Sequence, residues 1–230
     1  MFIFFSSVSF GQKLFFDEFG GQGGVAYYMG DVNHSRQFYS VEPAFGGLIR
    51  KNFNPRVSAR LQFMQINVKG NDRDFTNGYQ QQRLHHFYNI LYEASLLGEI
   101  NFLDYNPWNR QKFSTYLVSG FAMTFANKED KIACATIPIG MGFKYAYKKR
   151  FTISPEWVFR KTFTDIIDGL GHSATTSFSY LPENKQITNL NTKDWYSVFS
   201  LNITYNFSGS KKWCHAYGLR KKKRLYELQR

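Results

Sequence analysis

The chain has 230 residues and a formal net charge of +12, from 29 Lys and Arg against 17 Asp and Glu. Aromatic residues make up 19% of it, with 24 Phe and 15 Tyr, yet its mean hydropathy is negative. No apolar run approaches the roughly 20 residues of a spanning helix, so a helical membrane protein is excluded, and a single barrel with an apolar wall and a polar interior fits.

The first residues read MFIFFSSVSFGQ. They resemble the apolar core and cleavage region of a secretory signal, with Ser9 and Gly11 as the small residues before a cut at Gln12. The basic segment that opens such signals is missing. Residues 1–11 are therefore read as a partial signal peptide, 12–207 as the barrel and 208–230 as a basic tail.

Eight strands are expected after the signal. The first runs from Phe19 to Gly30, with Phe19, Val25, Tyr27 and Met29 on one face and glycines on the other. The second runs from Glu42 to Asn52. The third, Arg56 to Val68, alternates Val57, Ala59, Leu61 and Phe63 with Ser58, Arg60 and Gln62. Its phase slips at Met64–Gln65, which predicts a bulge. The fourth, Leu84 to Phe102, sets Tyr88, Ile90, Tyr92, Ala94, Leu96 and Ile100 against Asn89, Glu93, Ser95, Glu99 and Asn101. The fifth, Lys112 to Phe125, is apolar but cannot be phased. The sixth, Ala133 to Tyr147, puts Ile137, Ile139, Met141, Phe143, Tyr145 and Tyr147 opposite Thr136, Gly140, Gly142 and Lys144. The seventh is Phe151 to Phe163. The eighth, Trp195 to Phe207, alternates most cleanly, with Phe199, Leu201, Ile203 and Tyr205 against Ser200, Asn202 and Thr204. Period two over such lengths marks strands with one apolar and one polar face, long enough to cross a bilayer when tilted.

The connectors fall into two classes. Those at 31–41, 69–83, 126–132 and 164–194 are mostly long; those at 53–55, 103–111 and 148–150 are mostly short. Outer-membrane barrels have long outer loops and short periplasmic turns. This predicts an eight-stranded antiparallel up-and-down transmembrane barrel, OmpX/OmpA-like, with both termini periplasmic. A soluble lipocalin-like barrel is the alternative, and it would turn its apolar face inward.

The inferred lumen charges are Glu42, Arg50, Arg60, Glu93, Glu99, Lys144, Glu156 and Arg160. Both signs occur in equal number, which predicts a structural ion-pair network in a closed interior, since unpaired buried charge is costly. The histidines are His34, His85, His86, His172 and His215. Neighbours on a strand face opposite sides, so His85 and His86 cannot share one face, and Ser95 and Glu99 lie far along the strand from them. No phosphate loop, nucleophile elbow or metal-spaced cluster is visible. No enzymatic activity, cofactor, metal or small-molecule substrate is expected. Trp157 and Trp195 are read as interface anchors. Lys161, Thr162, Phe163, Thr164, Asp165 and Asp168 are read as part of a loop packed across the barrel mouth. Cys134 and Cys214 should lie at opposite ends and not pair with each other.

The tail holds Lys211, Lys212, Arg220, Lys221, Lys222, Lys223, Arg224 and Arg230 against Glu227 alone. In an exported chain nucleic acid is not the partner, so an acidic protein surface or lipid headgroups are expected. Lys211, Lys212, Arg220 and Lys221 would steer such a partner and Trp213 and Tyr217 would anchor it. Cys214, beside Trp213, is a candidate for an intermolecular disulfide.

Three segments carry a family resemblance: Phe45 to Arg56 (FGGLIRKNFNPR), Pro138 to Tyr145 (PIGMGFKY) and Glu156 to Asp165 (EWVFRKTFTD). With Ala26 to Asp31 (AYYMGD) they resemble the PorG family, outer-membrane barrels of Bacteroidota tied to type IX protein secretion and gliding motility. The resemblance covers most of residues 19–207. It implies a barrel, embedded in outer-membrane lipid, that anchors a periplasmic ring lipoprotein and associated secretion-system subunits through its turns and tail. The other reading is a stand-alone OmpX-like barrel acting in adhesion or envelope stability through its outer loops.

Overall fold

The computed structural model describes residues 16–30, 33, 36–75, 86–107, 112–126, 132–148, 150–163 and 194–207. Eight strands follow one another: β1 (Glu18–Met29), β2 (Glu42–Asn52), β3 (Val57–Asn71), β4 (His86–Asn101), β5 (Phe113–Ala126), β6 (Ile132–Tyr147), β7 (Phe151–Thr162) and β8 (Trp195–Asn206). Each pairs antiparallel with the next, and β1 returns to β8, from Glu18 opposite Asn206 to Met29 opposite Trp195. Closure leaves no unpaired edge, which a strand in hydrocarbon requires.

Side chains alternate across the wall with opposite polarity to a soluble barrel. Phe121, Leu96, Met141 and Ile100 point outward and are 75%, 61%, 60% and 59% exposed. Arg50, Arg60, Glu99, Glu156 and Lys144 point inward and are buried. An apolar exterior this extensive would not be stable in water. The lipocalin-like alternative is thereby overturned, and the barrel spans a membrane.

The first strand begins and the last ends at one rim, where the tight turns also lie. There the Asn54 side chain accepts from the backbone N–H groups of Arg56 (2.8 Å) and Val57 (2.7 Å), closing the β2–β3 turn. Asn is suited to this because its short amide reaches its own backbone two or three residues on. The connector classes hold with one exception. The β5–β6 connector at the other rim spans only 127–131, shorter than the β4–β5 connector of 102–112.

Two expectations about the wall are corrected. No bulge interrupts β3: its register with β4 runs without a break from Val57 opposite Ile100 to Asn71 opposite His86. Met64, Ile66 and Val68 continue the inward face of Ser58 to Gln62 and enter an apolar layer inside the barrel. The apparent slip was a change of lumen chemistry, not of phase. Glycines of β1 also occupy both faces, with Gly21 and Gly23 outward. The unphased β5 presents Phe113, Leu117, Phe121, Met123 and Phe125 outward, and Ser114, Tyr116, Val118 and Thr124 inward.

Candidate functional site

The lumen is filled by two layers. Nearest the terminus-bearing rim is an ionic layer. Glu99 stands at its centre, accepting from Lys144 at 2.5 Å and from Arg50 at 3.2 Å, with Arg60 at 3.4 Å. Arg50 also reaches Glu18 at 2.7 Å, and Arg60 reaches Glu156 at 2.8 Å. Tyr116 donates to Glu156 at 2.8 Å. Its ring passes over Gly142, where an added Cβ would lie 2.7 Å from the ring. Only glycine leaves the phenol that path. The Lys144 ammonium sits 4.6 Å from the centre of the same ring, adding a cation–π contact.

Further along the axis, Arg160 donates to Glu93 at 2.8 Å and Tyr196 donates to the same oxygen at 2.6 Å. Beyond them lies the apolar layer, with Tyr28, Ile66, Val68, Phe75, Phe87, Leu91 and Val198 buried together. Two connectors close over it. Tyr39 donates to Asp74 at 2.5 Å, and the Arg36 guanidinium lies 5.0 Å from the centre of the Phe75 ring. Burial and the neighbouring Asp74 carboxylate push the Tyr39 phenol well above its ordinary pKa, so it remains a donor. Tyr28 donates to Asp194 at the start of β8.

Seven of the eight expected lumen charges therefore lie in this interior: Arg50, Arg60, Glu93, Glu99, Lys144, Glu156 and Arg160. Glu42 does not. It shares the inward parity of β2 but sits at the strand's far end, where the wall stops, and it faces Lys69 at 4.0 Å, partly exposed. The acid that replaces it is Glu18, one residue before the expected start of β1. Glu18 is held by Arg50, by Asn52 at 2.7 Å and by Thr204 at 2.9 Å. With Glu18 the acids Glu18, Glu93, Glu99 and Glu156 balance the cations Arg50, Arg60, Lys144 and Arg160.

The remaining expectations fall variously. Ser95 is buried and inward, Glu99 is engaged by three cations, and His86 is outward and exposed. Nine residues of extended strand, about 30 Å, separate His86 from Ser95. These groups are not brought together. Trp195 is part exposed, with Lys161 over its ring at 5.2 Å. Trp157 is not a simple lipid-facing anchor. Phe38 of the β1–β2 connector stacks on it at 5.7 Å, and its indole N–H donates to Ser197 at 2.8 Å. Ser197 is an outward hydroxyl on the apolar wall, and the connector lies across it. Cys134 is a buried, inward-facing thiol near the start of β6. Lys161, Thr162 and Phe163 are at the far end of β7, where Thr162 donates to the Asp194 carbonyl at 2.8 Å. His34, His85, His172, His215, Thr164, Asp165 and Asp168 lie outside the described residues. So do residues 1–11 and the tail, with Lys211, Lys212, Trp213, Cys214, Tyr217, Arg220 and Lys221.

A closed eight-stranded wall, apolar outside and filled by paired charges inside, defines an outer-membrane-type β-barrel. The profile of the family described as a domain of unknown function, DUF6089, matches residues 1–216, and the chain belongs to that family. No curated protein matches the sequence. Among solved structures, Neisserial surface protein A is similar over 83% of this chain and 96% of its own, at 10% identity and a TM-score of 0.49. The N-terminal β-barrel domain of Pseudomonas aeruginosa OprF covers 83% and 98%, at 13% identity and a TM-score of 0.44. The attachment invasion locus protein Ail of Yersinia pestis covers 83% and 99%, at 12% identity and a TM-score of 0.44.

Proposed function

We propose that this chain is a non-enzymatic barrel subunit of the type IX protein secretion and gliding apparatus. It lies in the outer membrane with both termini and the tight turns in the periplasm, and it holds periplasmic ring components there through those turns and the tail. The observation that carries this reading is what the PorG-like segments do. They contribute Arg50, Lys144, Glu156 and Arg160, four of the eight paired lumen charges. A barrel whose recognisable segments fill its own interior is built as an anchor rather than a conduit. The family match continues past β8 to residue 216, through Trp213 and Cys214, which supports a tail that belongs to the working protein.

The test is affinity purification from envelopes with the full chain and with residues 208–230 removed. The truncated barrel is expected to fold, shown by heat-modifiable migration, and to lose its periplasmic partners. Binding by the full chain should weaken as salt rises, because exposed charges supply the steering. Cys214→Ser should remove any high-mass band on non-reducing gels while salt-sensitive binding persists. Equal recovery of the same partners without the tail would overturn the tail's part in docking, and recovery of no periplasmic partner by the full chain would overturn the proposal. The packed outer cap of Tyr39, Asp74, Arg36 and Phe75 favours the second reading, a stand-alone barrel acting through its outer loops, and that reading would then stand.

A further inference from the structure

The β3–β4 register lines up two pairs on the outer wall near the long-connector rim: Lys69 opposite Tyr88, and Asn71 opposite His86. Arg73 follows just beyond. With Glu42 these residues border a groove of about 390 Å³. Lys69, Arg73, His86 and Tyr88 are exposed. Glu42 lies 4.0 Å from the Lys69 ammonium, which remains half exposed. Asp72 and Asp74 do not line the groove: Asp74 accepts from Tyr39, and Asp72 is buried. The groove therefore carries excess positive charge. It lies at the long-connector rim, where Gly70 and Phe87 of the inward face also line it, beside a tyrosine of the kind that marks the membrane boundary. Cations in that position meet lipid headgroups.

We propose that this groove binds the phosphorylated saccharide headgroup of an outer-leaflet glycolipid. Lys69 and Arg73 hold the phosphate. Glu42, which would repel a bare phosphate, accepts from sugar hydroxyls, and Asn71 donates to them. The Tyr88 ring covers the apolar face of the sugar. The volume exceeds that of a single phosphate, and the groove lies at the rim that faces outward in outer-membrane barrels. The inference rests on the membrane placement and not on the secretion role.

Native mass spectrometry of the full chain in detergent tests it without reference to partners. The probes are diphosphorylated lipid A, the same lipid without its phosphates, phosphatidylglycerol and inorganic phosphate. Lipid A should be retained, and its dephosphorylated form should bind at least about tenfold more weakly, the effect of losing the charge-assisted contacts from Lys69 and Arg73. Phosphatidylglycerol should also bind more weakly, and equimolar inorganic phosphate should not compete. Lys69→Gln with Arg73→Gln should weaken lipid A about tenfold, whereas Lys148→Gln with Arg150→Gln, at the opposite rim, should change nothing. Heat-modifiable migration reports whether each variant folds. Equal retention of the phosphorylated and dephosphorylated lipids, or of lipid A and phosphatidylglycerol, would overturn the assignment. So would displacement by inorganic phosphate, or unchanged binding in the folded Lys69–Arg73 variant.

Discussion

Replacing Glu99 by Ala is expected to destabilise the folded barrel by about 3–5 kcal/mol, the range for breaking a buried ion pair. The reason is topological as well as electrostatic. Arg50 on β2, Arg60 on β3 and Lys144 on β6 all converge on this one carboxylate of β4. Removing it leaves three buried cations sharing the remaining acids. Glu42→Ala is the matched control. It removes an acid from a partly exposed pair at the rim, and exposed pairs contribute about 0–1 kcal/mol. Urea titration of refolded protein in lipid vesicles, followed by tryptophan emission, measures both. Equal losses for Glu99 and Glu42 would show that the interior charges are solvated and not paired as described.

The second large effect concerns the outside of the wall. Leu96→Arg should cost about 2–4 kcal/mol in a bilayer, the range for a cation facing lipid at the midplane. Leu96 lies mid-strand on β4, opposite Phe121 of β5 and Leu61 of β3, all three outward. Both cross-strand neighbours are apolar, and the lumen charges project from the other face of the wall. Residues near the rims such as Tyr88 should tolerate the same change better, because the penalty falls toward the interface. If Leu96→Arg folds as well as the parent chain, this face does not meet hydrocarbon.

Most of the wall was legible because period two imposes it. Wherever the inward residues are polar, as at Asn89, Glu93, Ser95, Glu99 and Asn101 of β4 and Ser200, Asn202 and Thr204 of β8, alternation reads directly as inside and outside. It misled where the lumen is apolar. Met64, Ile66 and Val68 are inward like Arg60 and Gln62, but their chemistry matches the outer face, so a continuous strand looked bulged. The same mixture hid the phase of β5, whose inward face carries Tyr116 and Val118 and whose outward face carries Thr115 and Ser119. The ionic layer was legible as a set of like-parity charges, but its limits were not. Glu18 has the parity of Gln22 and lay just beyond the expected start of β1. Glu42 has the parity of Arg50 but lies where the barrel ends. Parity assigns a face; only the length of the neighbouring strands decides whether that face is still interior. The cover that Phe38 lays over Trp157 had no local signal, because it depends on the path of a connector across a neighbouring strand.

The central claim is that the barrel is sealed and acts by holding rather than by passing solutes. Planar-bilayer recording of the refolded full chain tests it most directly. Among the described residues, paired charges fill one stretch of the lumen and an apolar layer lies beyond them, so inserted protein should give no stable conductance steps. Large, long-lived steps in protein that has kept its heat-modifiable fold would contradict the account.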